Sequence, residues 1–117
     1  MPREKIFYSS KAYLYIAKPV YRLQPIKIGV TSNLNHLPAL LAYSPVQLKC
    51  IVAFKFLRRW QAIEIVHSMH DQFKQPVYIE EIRMRGKWLK LDPNEAVQFI
   101  TDTARAKQYM FVLSKIL

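Results

Sequence analysis

Short runs of strand-forming residues alternate along this chain of 117 residues with segments of helical period, and that order restricts the fold to a small sheet covered by helices. The first run, Ala12 to Ala17, is rich in Tyr, Leu and Ile and is broken by Lys18-Pro19. A connection through Gln24-Pro25 leads to a second strand, Ile26 to Thr31. Ser32 and Asn33 are good N-caps for a helix reaching to about Tyr43, with Pro38 acceptable only near its first turn. Ser44-Pro45 ends that helix, and Val46 to Phe56 reads as a longer third strand.

Arg58 to Phe73 has helical spacing, with Ala62, Ile65, Val66, Met69 and Phe73 on one face and Glu64, His67 and Asp71 on the other. Met69 and Phe73 are expected to be buried, Glu64 and Asp71 exposed. The chain after Gln75-Pro76 is irregular until Gly86, and Lys87 to Leu91 alternates like a short strand. Asp92-Pro93-Asn94-Glu95 is a strong helix start, credible to about Ala106. Tyr109 to Leu117 either continues the helix or forms a separate element; we take 92–117 as a C-terminal helical extension. The expectation is one α/β (α+β) domain over 1–117, with a small, mainly antiparallel, three-stranded sheet flanked by helices.

Composition narrows the function. Eighteen Lys and Arg against eight Asp and Glu give a formal charge of +10, more than solubility requires, which favours a polyanionic partner. Half the residues are hydrophobic, yet no apolar stretch reaches the roughly 18 residues of a membrane span. The first ten residues carry Arg3, Glu4 and Lys5 without the apolar run of a signal peptide. Cys50 is the only cysteine and sits in an apolar run, so neither a disulfide framework nor a Cys-based metal site is expected. These features fit a cytoplasmic protein with no membrane association.

Four segments, in order, resemble the GIY-YIG nuclease superfamily, in the branch of phage and large-virus proteins whose second motif reads Lys-Ile-Gly. Tyr13-Leu14-Tyr15 stands for the first motif, and Lys27-Ile28-Gly29, followed by Val30 to Leu34, for the second. Met69-His70-Asp71-Gln72-Phe73 resembles the family's Leu-His-x-x-Phe, and Arg83 to Leu91 its closing Arg-x-x-Gly-Glu-Trp-Phe-x-Leu. The motif-bearing core is then 12–91. The resemblance implies a GIY-YIG-like fold in which Tyr15 and Lys27 occupy positions that help to activate water. An Arg on the first helix would stabilise charge on the phosphate, and a Glu on the second would hold one divalent metal.

Those last two groups are missing. Counted from Gly29, the Arg position is Leu37, and His36 is the neighbouring substitute, about 100° away around a helix. The Glu position, four residues before His70, is Val66; the nearest acid, Glu64, is rotated by about 200°. Lys87 replaces the Glu of the closing motif. No metal ligand set is expected: His67 and His70 lack an evident third partner. No cofactor is expected either, with Mg implied only for an active nuclease.

Basic residues interleaved with aromatics remain. Lys55, Arg58 and Arg59 flank Trp60, and Arg83, Arg85, Lys87 and Lys90 surround Trp88, a pattern suited to phosphate contacts with base stacking. Tyr8, Tyr13, Tyr15 and Tyr21 add aromatic surface. The leading expectation is a nucleic-acid-binding protein, DNA ahead of RNA, on a degenerate GIY-YIG scaffold of phage or mobile-element type. Two rivals are an active metal-dependent endonuclease, and an inactive inhibitor or adaptor that binds a host protein or nucleoprotein complex.

Overall fold

The computed structural model describes residues 10–42, 44, 46–79, 81–84 and 88–115, the last of these by its backbone alone. Strand β1, Ala12–Pro19, lies at the centre of the sheet, antiparallel to β2, Ile26–Thr31, on one side and to β3, Leu48–Phe56, on the other. This is the pairing expected from the three apolar runs. The sheet nevertheless has five strands rather than three. Strand β6, Trp88–Leu89, pairs with β2, and β7, Phe111–Lys115, pairs with β3, giving the order β6-β2-β1-β3-β7.

The expected helical extension over 92–117 therefore holds only in part. After Ala106 the helix is closed by Gln108 in a left-handed conformation at φ 60°, and the Tyr109 N–H donates to the Ala104 carbonyl at 2.8 Å. Phe111 then leaves the helix axis and packs its ring against Phe54 at 5.6 Å and Phe56 at 6.0 Å. Burial of an aromatic ring against two others outweighs the weak helical preference of Phe-Val-Leu.

The helix expected over 33–43 is shorter than its sequence suggested. Asn33 caps a 3-10 turn, its side chain accepting from the Asn35 N–H at 2.9 Å, and the α-helix proper is α1, Leu37–Leu41, with Pro38 in its first turn. Helix α2, Arg59–Gln72, follows β3 directly, and α3, Pro93–Ala106, starts where Asp92 accepts from the Glu95 N–H at 2.9 Å. The stretch after Pro76 is not irregular: β4, Val77–Ile79, and β5, Ile82–Met84, form a separate two-stranded antiparallel ribbon. None of the helices among the described residues is long and apolar enough to cross a membrane.

Strand alternation splits the apolar residues between the two faces of the main sheet. Leu14, Ile16, Ile26, Ile28, Phe54 and Phe56 face α2 and α3, which contribute Ala62, Ile65, Val66, Met69, Ala96 and Ile100 to the main core. Tyr15, Ala17 and Ala53 face the other way and are covered by Leu37 of α1. Met69 is fully buried as expected, whereas Phe73, which caps the end of α2, is half-buried with its ring edge-on to Phe99 at 5.6 Å. A third cluster joins Val77, Ile79, Met84 and Trp88 beneath the ribbon.

Candidate nucleic-acid interface

The register of β1 on β2 places Tyr13 opposite Thr31, Tyr15 opposite Gly29 and Ala17 opposite Lys27, all on the α1 side of the sheet. Tyr15 and Lys27 are thus diagonal neighbours, a relation that sets Cβ atoms roughly 7–8 Å apart. Gly29 is there for room. A Cβ at Gly29 would stand 2.4 Å from the Tyr15 hydroxyl oxygen and 2.6 Å from Cζ, so the ring lies flat across the glycine backbone. Burial pushes the Tyr15 phenol above its ordinary value, helped by the neighbouring Cys50. At neutral pH it is a hydrogen-bond donor and a poor base.

The Arg and Glu positions that the resemblance adds to this tyrosine are filled by apolar, buried side chains. Leu37, at the position the resemblance gives to Arg, is buried against Tyr15, Ala17 and Ala53. His36 immediately precedes α1 and is exposed, so the helix turns the leucine and not the histidine towards Tyr15. Val66, at the Glu position, is 1% exposed within the main core, on the opposite side of the sheet from Tyr15. A divalent metal does not fit there, because the side chain is an alkyl group enclosed by alkyl groups. Among the described residues no group of three His, Cys, Asp or Glu side chains is arranged to hold a metal.

Glu64 was expected to be exposed; instead it is half-buried and joins α2 to the residues after α3. Lys107 and the Tyr109 hydroxyl both donate to its carboxylate, the latter at 2.7 Å. Hydrogen bonds from Lys107 and then Tyr109 hold this carboxyl below its usual range, while burial and the bond to Glu64 push the Tyr109 phenol up to about 12. Asp71 is exposed as expected and lies 3.9 Å from Lys74.

The cations expected to meet phosphate are spread over two regions. Lys55 stands in the same cross-strand row as Tyr13 and Thr31, half-buried beside exposed Val112 of β7. Arg58 is exposed at the N-cap of α2, and the Arg59 N–H is anchored to the Ser10 carbonyl at 2.6 Å. Trp60 is 44% exposed, with its ring edge-on to Tyr109 at 5.4 Å. In the second region Arg83 and Lys90 are exposed, while Arg85 and Lys87, like Tyr8, lie outside the described residues. Trp88 requires a correction. It is 5% exposed within the third cluster, so its ring is a packing element of the ribbon and is not available for stacking.

One charge feature was legible in the sequence and missed. No Asp or Glu occurs between Glu4 and Glu64, the stretch that builds β1, β2, β3 and α1. That stretch carries Lys11, Lys27, Lys49, Lys55, Arg58 and Arg59, and the chain from Glu64 onwards is close to balanced. Nearly all of the +10 charge therefore belongs to the chain before Glu64, and half of it to the three central strands and the segments that join them. Comparison of the chain with protein families, with curated proteins and with solved structures finds no match.

Proposed function

We propose that this protein binds nucleic acid through the basic, carboxylate-free surface of its N-terminal half, and that it does so on a nuclease-like scaffold without cutting the strand. The observation that carries the reading is the uninterrupted absence of acids between Glu4 and Glu64 in a segment that supplies the three adjacent strands β2, β1 and β3. A surface without carboxylates concentrates positive potential, attracts a polyanion and releases its counterions. The burial of Leu37 and Val66 on opposite faces of the sheet supports the inactive half of the reading. The cytoplasmic setting and the GIY-YIG ancestry belong to the same proposal.

The test is a binding series on duplex and single-stranded DNA across salt, with and without magnesium or manganese. Affinity is expected to fall steeply with salt, with a log–log slope near −0.9 per neutralised phosphate on duplex, and no cleavage above background is expected. Lys49→Ala with Lys55→Ala and Arg58→Ala should weaken binding and flatten the slope, whereas Arg105→Ala, on the charge-balanced half, should do little. Absence of binding at roughly 50 mM salt, where such contacts are strong, overturns the proposal.

A second reading is favoured by β7. An edge strand among the described residues, it presents exposed Val112 and Leu113, with exposed Met110 just before it, alongside its outer backbone, the arrangement that accepts an added strand from a protein partner. A host protein or nucleoprotein complex bound there would survive the lysine and arginine substitutions.

A further inference from the structure

Beside the edge of the sheet lies a cleft of about 270 Å³ lined by Arg22, Gln24, Pro25, Pro76, Tyr78 and Lys90, with Val77 at its base. Three local features build it. The Lys18 ammonium donates to the carbonyls of Pro19 at 3.1 Å and Arg22 at 3.0 Å, which pins the turn that carries Arg22. The pairing of Leu89 with Ile26 brings the following residue, Lys90, next to Pro25. Alternation along β4 turns Val77 and Ile79 into the Trp88 cluster, so Tyr78 between them faces out and is 55% exposed.

Tyr78 is also the cross-strand partner of exposed Arg83, a relation that places their Cβ atoms roughly 5 Å apart. A flat aromatic ring is therefore surrounded by Arg22, Lys90 and Arg83, and no acid lines the cleft among the described residues. Tyr21, 91% exposed, stands on the same pinned turn. This is the aromatic that the basic cluster of the second region lacks once Trp88 is placed in the core.

We propose that this cleft takes one unpaired nucleotide of a single-stranded nucleic acid, its base stacked on Tyr78 and the flanking phosphates held by Arg22, Lys90 and Arg83. The inference rests on the nucleic-acid-binding reading and assigns it a substrate class. A duplex buries its base faces within its own stack and offers none to Tyr78, whereas a single strand offers every base. The volume suits one base with its sugar, and three cations around one ring offer more than one phosphate contact, as a strand needs and a free mononucleotide does not.

The experiment is fluorescence anisotropy of the full chain with labelled oligothymidylate, oligouridylate and a DNA duplex of equal length. Tyr78→Ala should weaken single-strand binding by about 5- to 100-fold, the range expected for loss of one stacked base, and leave duplex binding unchanged. Tyr78→Phe should retain wild-type affinity, since stacking needs the ring and not the hydroxyl. Arg22→Ala with Lys90→Ala should flatten the single-strand salt slope by about 1.4, at about 0.7 per phosphate. The thymidylate and uridylate arms separate DNA from RNA. Unchanged single-strand affinity in Tyr78→Ala, or equal losses on duplex and single strand, overturns this assignment alone. A wild type that binds none of the probes overturns the nucleic-acid reading with it.

Discussion

Gly29→Ala isolates the contact that fixes the α1-side face of the sheet. The added carbon would stand 2.4 Å from the Tyr15 hydroxyl oxygen, 2.6 Å from Cζ and 2.9 Å from Cε1. Carbon atoms in contact prefer about 3.5–4.0 Å, so the ring must retreat by roughly an ångström. It has little space to do so, being 5% exposed and packed with Ala17, Leu37 and Ala53. Forcing a methyl into such a site costs about 1–3 kcal/mol, and the usual gain of Ala over Gly inside a strand offsets about 0.5–1 kcal/mol of that. The expected net loss is about 1–2 kcal/mol. Urea unfolding followed by circular dichroism, with an unchanged m-value, measures it. In a Tyr15→Ala background the clash is gone, and Gly29→Ala should become neutral or stabilising. A neutral Gly29→Ala in the wild type, or the same loss in both backgrounds, refutes the idea that Gly29 exists to seat the Tyr15 ring.

Four further outcomes follow from the same geometry. Val66→Glu, the change that would supply the missing carboxylate, should destabilise by about 3 kcal/mol or more and restore no cleavage, because the group enters the main core on the wrong side of the sheet; equilibrium unfolding and a nuclease assay check both halves. The folded carboxyl of Glu64 titrates below its ordinary 4.5, so its stabilisation is complete above that pH and is lost as pH falls through the lowered value; Glu64→Gln should reduce the acid-side loss by about 0.5 kcal/mol, since the half-buried carboxylate is still screened by solvent. The Tyr109 phenol behaves oppositely, losing its contribution as pH rises from 10.0 towards about 12, and Tyr109→Phe should flatten that alkaline limb of the stability profile. Gln108→Gly should raise stability by about 0.5–1 kcal/mol in the same unfolding assay, since a left-handed residue at φ 60° closes α3.

The elements legible in the sequence were those whose signals are local. Asp92 and Pro93 at the start of α3, the apolar stripe of α2 and the three runs that became β1, β2 and β3 all declare themselves within a few residues. The outer strands were hidden because their reasons are distant in the chain. Phe111 is a strand residue on account of Phe54 and Phe56, and Trp88 is buried on account of Val77, Ile79 and Met84. The site divides in the same way. The motif resemblance named Tyr15 and Lys27 together, and the register of β1 on β2 sets them on one face. Spacing could not reveal that Glu64 reaches Lys107 and Tyr109, or that Tyr78 and Arg22 meet at one cleft.

The strand order β6-β2-β1-β3-β7 has a consequence for the order of assembly. β1, β2 and β3 are near in the chain and can pair as soon as Phe56 is free to do so. The second neighbour of β3 arrives only after α2, the ribbon and α3 have been laid down. Throughout that interval β3 keeps an open flank beside Phe54 and Phe56, two of the largest fully buried side chains of the core. During synthesis, or on refolding from denaturant, this is where two copies would associate wrongly. The closing residues 111–115 thus act as a guard on the nascent sheet, and their loss should reveal itself first as lower yield of soluble protein rather than as a weaker native state.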